Sequence, residues 1–516
     1  MTTTTTPDHA AAPRTLRLDQ ADNVIIAIDA IRGREPVSAV VPQERIPQGH
    51  KMATVGIAQG EPVRKFGQII GFASEAIEPG AWVHTHNVEM GDFDRAYDFA
   101  KDARDDAFDP AAAPALATFD GFRRSNGTTG TRNYIGVLTS VNCSASVARF
   151  AAQEVMASGL LERYANVDGV IAFTHGTGCG MAGDGDGYEA LQRTLWGYAT
   201  HPNLAGVLMV GLGCEMFQIA RFKQTYGVEE HDGFRSTTIQ DEGGTRKTID
   251  RLKEQIAEML PAADAARREP RPLSELMVAL QCGGSDGYSG ITANAALGRA
   301  TDMLVAQGGT GVLAETPEIY GAEHLLTRRA KDEATGRKLV DLIHWWEDYT
   351  QRNRGNMNNN PSPGNKAGGL TTILEKSLGA AAKGGSTTLR GVYKYAERVD
   401  SRGFVFMDSP GYDPASVTGQ VAAGCNIVCF TTGRGSAFGY KPAPSIKLAT
   451  NSALYARMPD DMDINCGDVI DGVSIDEKAR EILDVITKVA SGARSKSEAL
   501  GYGDNEFVPW QIGAVM

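Results

Sequence analysis

From Thr131 onward the chain repeats one unit: an uninterrupted apolar run, a polar glycine-rich turn, then an amphipathic stretch. The first runs are Tyr134 to Val141, Val167 to Thr174, Ala205 to Val210 and Ser236 to Ile239. A strand without polar alternation has no face to offer water, so such runs belong in a parallel sheet covered on both sides by crossover helices. Helices are expected between them, at Ser144 to Ser158 and at Thr245 to Met259, where Ile249, Leu252, Ile256 and Leu260 recur at helical spacing. The unit returns with strands at Leu276 to Leu280, Gly311 to Ala314, Phe404 to Met407 and Ile427 to Phe430, and helices at Thr292 to Gln307 and Ala322 to Arg329. The expected fold class is α/β, with two parallel-sheet domains.

The start of the chain has another texture. Short apolar strands such as Asn23 to Ile28 and Gly67 to Phe72 alternate with Gly and Pro turns, the pattern of a small all-β domain. Asp109 to Pro114 and Pro261 to Pro270 are Ala/Pro-rich and read as linkers. The expected organisation is a loose tail over 1–14, a β domain over 15–92, a linker over 93–120, and α/β domains over 121–262 and 263–516. Asn353 to Gly369 is too polar and Gly/Pro-rich for regular structure, and a loop of that length is expected to be functional.

With 63 acidic against 51 basic residues the net charge is -12, and no basic patch offsets it, so a nucleic-acid partner is not expected. No long uncharged apolar run offers a membrane span. The seven cysteines are scattered, without a CxxC pair, and residues 1–14 lack the basic start and apolar core of a secretory signal. Reduced thiols in a cytoplasmic protein are the expectation.

In open parallel sheets ligands bind outside the carboxyl ends of the strands. The residues there are chemically rich: Asn142-Cys143, His175-GTG-Cys179, Gly211-LG-Cys214-Glu215, Gln240-Asp241-Glu242, Gln281-Cys282-GGS-Asp286, Glu315-TP-Glu318, Asp408-SPG and Thr431-TG-Arg434. Any one buried cysteine is more often a small hydrophobe than a ligand, but the set points to one or two clefts. His84 and His86 stand two apart and would share a face if they lie on a strand, as two metal ligands would; two surface histidines account for the same pair. Gly178-C-Gly180-MA-Gly183 matches the dinucleotide template G-x-G-x-x-G, so an NAD-linked oxidoreductase is a rival. Against it, the preceding strand reads as an inner one, no helix start is evident, and 59 glycines make chance matches easy.

Taken together, Ile46-PQGHK-Met52, Val83-HTHN-Val88, Gly130-TRNYIGV-Leu138, His175-GTGCG, Gly211-LGCE, Ile239-QDEGGT, Gln281-CGGSDGYSGITAN-Ala295, Glu315-TPEIYGAEHLLTRRA, Asn359-NPSPGNKAGGL, Phe430-TTGRG, Lys441-PAPSIK and Asp461-MDINCG make the chain resemble the altronate/galactarate dehydratase family, sugar-acid hydro-lyases that also include sulfolactate sulfo-lyase. The likeness is nearer to the altronate branch. It implies a β-clip-like SAF domain ahead of the two α/β domains, and removal of water from an aldonate or aldarate, D-altronate foremost, to leave a 2-keto-3-deoxy acid. It also implies Fe2+ or Mn2+, with no nicotinamide or flavin, and a homodimer.

Such a reaction needs a base at the carbon beside the carboxylate and a group to hold the enolate charge while the neighbouring hydroxyl departs. On the resemblance, His84, His86, Cys143 and Glu215 are the expected metal ligands, and Lys51, His50 and His175 the acid–base candidates. Asn142, Asp241, Glu242, Asp286 and Glu315, with Lys366, Arg434 and Lys447 for the carboxylate, are the expected substrate contacts. An iron–sulfur dehydratase using three of Cys143, Cys179, Cys214 and Cys282 is a rival within the class, and a non-catalytic sugar-acid binding protein is the rival outside it.

Overall fold

The computed structural model describes residues 12–33, 36–91, 96–106, 108 and 117–516. Most of the expected tail and the stretch Asp109 to Pro114 lie outside the described residues. Arg14, expected in the tail, is ion-paired with Asp29 and Asp471.

The N-terminal β domain consists of β1 (Thr15–Leu16), β2 (Val24–Ala27), β3 (Lys51–Ala53), β4 (Pro62–Lys65), β5 (Gln68–Ala73), β6 (Trp82–Val83) and β7 (Val88–Glu89). They pair antiparallel in two small sheets, ordered β1-β2-β3-β6 and β4-β5-β7. So few short strands bury little by themselves. One of the domain's cores, with Val24, Val63, Ile70 and Val83, is completed by Ala322, Leu378 and Ala381 from the far end of the chain.

β8 (Thr118–Arg123), β9 (Thr129–Gly130) and β14 (Arg268–Pro272) form an antiparallel sheet of their own. This differs from both expected linkers. The helix Thr245–Ala265 runs through Pro261, and the chain goes straight on into β14. The proline forfeits one helical hydrogen bond, but Met259, Leu260 and Ala263 around it are buried, and Asn133 donates to the Ala263 carbonyl at 2.9 Å.

Strands β10 (Tyr134–Thr139), β11 (Gly169–Phe173), β12 (Leu204–Gly211) and β13 (Phe234–Thr238) form a fully parallel sheet ordered β11-β10-β12-β13. β11 is therefore an edge strand, and a helix starts after it at Gly185, so two of the grounds given against a dinucleotide turn at Gly178 do not hold. β15 (Met277–Cys282), β16 (Thr310–Leu313), β17 (Leu389–Tyr393), β18 (Gly403–Met407), β19 (Ile427–Thr432), β20 (Ser445–Ala449) and β21 (Ile464–Asn465) make a second parallel sheet, ordered β17-β18-β16-β15-β19-β20-β21. β15 has its sequence successor β16 on one side and β19 on the other, so the strand order reverses beside it. Such a reversal opens a crevice at the carboxyl ends.

Two expectations for local structure are revised. The polar loop 353–369 contains a short helix, Pro363–Ala367, started by a reciprocal Ser362–Asn365 cap. The helix expected from Ala322 to Arg329 is only His324–Thr327. Among the described residues no helix is long and apolar enough to cross a membrane.

The two sheet domains meet through the helices Gly185–Ala199 and Asp413–Ala423. A methyl group on Gly197 would stand 2.2 Å from the Ala422 carbonyl oxygen. Gly197→Ala is expected to lower stability by about 1–3 kcal/mol as an overpacked contact. A urea midpoint unchanged from the parent would contradict this packing.

Candidate functional site

At the reversal point the crevice is filled by ionisable groups rather than left apolar. Cys282 ends β15, Glu315 and Glu318 follow β16, and Asp413 starts the helix after β18. Lys376 and Lys383 reach in from the helix Ile373–Ala382 and its C-terminal flank. One atom from each of Cys282, Glu315 and Glu318, all buried, lies within 4.8 Å of the others; among the described residues this is the group found so placed. Lys383 Nζ donates to Cys282 Sγ at 2.9 Å and stands 3.8 Å from Glu315. Lys376 Nζ is 2.6 Å from Glu318, and Asn360 of the polar loop bonds both.

Both carboxylate oxygens of Glu315 are buried without a hydrogen-bond partner among the described residues. Its backbone is held in the left-handed region at φ 73°, uncommon for a residue with a side chain. Burial, and then the charge of Glu318, hold the Glu315 carboxyl well above its ordinary range. The same two causes push Asp413 up to about 7. Burial also opposes ionisation of Glu318, yet Lys376 and Lys383 outweigh it and draw that carboxyl below its usual value. Cys282 is pushed up to about 11 by burial, against the pull of Lys383.

A second charged cluster lies where the β domain closes on the same helix. Glu375 is fully buried and accepts from Lys51 Nζ at 2.9 Å and Lys65 Nζ at 3.0 Å. Lys51 also donates to the Gly369 carbonyl, and Thr371 gives Glu375 its N–H and its hydroxyl. Desolvation draws Lys51 down to about 8 even beside the carboxylate. Burial and then Lys51 lower both His50 and His84 to about 4, so both are neutral near pH 7. Trp82 donates to His50 Nδ1 and stacks on His84.

Among the described residues, the four expected metal ligands are not brought together. β6 ends at Val83, so His84 and His86 sit in a turn; His84 is buried and His86 exposed. Neither is grouped with Cys143 or Glu215, which belong to the four-stranded sheet. There Glu215 is buried, accepting from the Ser140 hydroxyl at 2.5 Å and the Gly213 N–H at 2.7 Å. His175 is buried with one ring nitrogen on the Thr139 carbonyl and the other accepting from the Thr177 N–H. Asn142 is exposed and donates to the His175 carbonyl, and Asp241 and Glu242 accept from the Thr238 and Thr237 hydroxyls. Among the described residues no hydrogen bond or ion pair joins this group to the crevice of the larger sheet.

Of the other expected contacts, Asp286 and Arg434 line a cavity of about 250 Å³ together with Arg14 and Gln48 of the β domain. Asp286 is buried, is raised by burial, and accepts from Thr450, Ser289 and Asn451. It also borders, with Glu375 and Lys376, a separate narrow gap. Lys366 is half-buried on the short helix, whose flanking Gly368 packs against Asp286. Lys447 is buried elsewhere, 3.7 Å from Asp461 and donating to the Ser436 carbonyl. Sequence reasoning missed Lys65, Glu375, Lys376, Lys383, Asn360 and Asp413. Glu318 and Asn360 lay inside quoted motifs and could have been drawn from them.

Three family models match the chain. The model described as Altronate/galactarate dehydratase SAF domain matches residues 13–91, D-galactarate dehydratase/Altronate hydrolase, second domain, matches 121–264, and D-galactarate/Altronate dehydratase, C-terminal, matches 273–515. An altronate dehydratase of Bacillus subtilis is 37% identical over 92% of this chain and 95% of its own. One of Escherichia coli is 36% identical over 94% and 96%. A galactarate dehydratase (L-threo-forming) of Escherichia coli is 36% identical over 87% of each chain.

Removing the charge of Glu375 leaves two ammonium groups facing each other in a dry interface. Glu375→Gln is therefore expected to cost about 3–5 kcal/mol, the range for breaking a buried ion pair from one side. Chemical denaturation reads it, and a loss under 1 kcal/mol would show that the cluster does not tie the β domain down.

Proposed function

Since the chain belongs to the altronate/galactarate dehydratase family, we propose that it is a hydro-lyase that takes water from D-altronate to leave 2-dehydro-3-deoxy-D-gluconate in the crevice of the seven-stranded sheet. The observation that carries the location is the buried group Cys282, Glu315 and Glu318 with two lysines at the point where the strand order reverses. Two altronate dehydratases covering more than nine tenths of the chain favour that substrate over galactarate.

The residues suit a divalent ion. The Glu315 oxygens are buried and accept no hydrogen bond among the described residues, and a thiol with two carboxylates is a mixed donor set of the kind that iron or manganese accepts. Bound there, Fe2+ or Mn2+ supplies Lewis-acid stabilisation of the charge that develops beside the substrate carboxylate. The chain does the rest. Arg434, on the cavity wall with Asp286, draws in a small anion, and Lys376, on the wall of the narrow gap, takes its carboxylate. Asp413, raised by burial and then by Glu318 to about 7, takes the proton from the carbon beside the substrate carboxylate and passes it to the departing hydroxyl. Lys51 is locked between Glu375 and the Gly369 carbonyl, so we assign it to positioning the β domain rather than to proton transfer.

Incubation with D-altronate and ferrous ion under reducing conditions, scored for a 2-keto-3-deoxy acid, tests the reaction; product from galactarate and none from altronate would overturn the substrate. Glu315→Gln is expected to lose bound metal and turnover together, and full activity with full metal in that variant would remove the site from the crevice. Asp413→Asn is expected to keep the metal and lower kcat by about 10²–10⁴-fold. Unchanged turnover in that variant would remove Asp413 from proton transfer.

A further inference from the structure

The four-stranded parallel sheet carries its own cluster of thiols at its carboxyl edge. Cys143 follows β10, Cys179 follows β11 and Cys214 follows β12, three adjacent strands with β10 in the middle. All three thiols are exposed and free, whereas Cys282, Cys425, Cys429 and Cys466 are buried.

The three loops are knitted together. The Asn142 N–H donates to the Thr177 carbonyl at 2.9 Å, and the Phe217 N–H donates to the Gly178 carbonyl at 3.0 Å. Gly178 has φ +98°, and a methyl group there would stand 2.1 Å from the Ser140 carbonyl oxygen, so the Cys179 loop lies directly on the Cys143 loop. Gly180 at φ +66° and Gly213 at φ +127° shape the turns around Cys179 and Cys214. Beneath them, Glu215 is held by Ser140 and Gly213, and His175 by Thr139 and Thr177. Cys143 lies in the short turn Asn142–Ser144 that leads directly into the helix Ala145–Ala157. The three sulfurs do not all lie within 4.8 Å of one another, as ligands of one ion would. Exposed thiols on three interlocked loops at one sheet edge suit a polynuclear centre instead.

We infer that Cys143, Cys179 and Cys214 hold a cubane iron–sulfur cluster at the carboxyl edge of the four-stranded sheet, with one iron left free of protein ligands. Of the four cysteines that the sequence offered for a cluster, the fold excludes Cys282, which is buried on a different sheet beside Lys383. The inference is independent of the crevice reaction proposed above, because it rests on other residues and on another sheet.

The full chain, prepared without oxygen and reconstituted with ferrous salt and sulfide, is expected to hold about four acid-labile sulfide per chain, with about four iron beyond the one proposed for the crevice, and to show broad visible absorption. Cys143→Ser, Cys179→Ser and Cys214→Ser should each lose at least nine tenths of the sulfide, while Cys282→Ser keeps it. Alkylation of the unaltered protein gives a second reading that does not depend on a variant folding: the three thiols should react before reconstitution and be protected after it. Failure of the unaltered chain to take up sulfide, iron bound without sulfide, alkylation unchanged by reconstitution, or loss of sulfide only in Cys282→Ser would each overturn the cluster.

Discussion

The arrangement of the molecule turns on a single carboxylate, that of Glu375, enclosed between Lys51 and Lys65 with none of the three side chains more than marginally exposed. Taking three charges out of water is costly unless each is closely paired and hydrogen-bonded. Here the carboxylate takes two ammonium groups, a backbone N–H and a hydroxyl, which leaves its oxygens fully engaged. The lysines come from β3 and the end of β4, so this pairing sets where the β domain can stand on the helix Ile373–Ala382. It also sets the chemistry around it: the positive charge of Lys51 reinforces burial in keeping His50 and His84 neutral.

The same helix organises the crevice. Successive residues on a helix point about 100° apart, so Glu375 and Lys376 serve different clusters from adjacent positions. Lys376 meets Glu318 while Glu375 meets the β domain. The crevice then contains three carboxyls and a thiol against two lysines. Were all ionised, two negative charges would remain unbalanced in a desolvated space. The shifts show how the protein alone handles that excess: Glu318 keeps its charge beside Lys376, and Glu315 and Asp413 are driven toward the neutral form. A dication would cancel the same excess, so donor chemistry and charge balance favour one occupant.

The sheets were readable from the sequence because a strand buried on both faces must be continuously apolar, and the carboxyl ends of those runs locate Cys282, Glu315 and Glu318 directly. The helix Ile373–Ala382 was opaque for a complementary reason. Glu375, Lys376 and Lys383 within LEKSLGAAAK look like the solvated side of an ordinary helix, and only the β domain and the polar loop folding over them make them interior. His84 and His86 misled through local geometry: the period-2 argument needs a strand through both, and β6 ends before either, at Val83. Pro261 misled in the opposite way, since propensity marks a helix end while burial of Met259, Leu260 and Ala263 carries the helix on.

Chain topology explains why the reactive residues form two groups rather than one. Every parallel sheet opens toward its carboxyl ends, and this chain has two such sheets, joined through helix packing rather than through a shared crevice. The larger sheet is capped by the β domain and the polar loop, which dry its crevice and place carboxylates and lysines there. The smaller sheet leaves its edge open, and there the three thiols stay at the surface on glycine-shaped turns while the glutamate and histidine beside them are taken up by the scaffold. Burial and hydrogen bonding thus sort one family of strand-end residues into an oxygen-rich interior site and a sulfur-rich surface site.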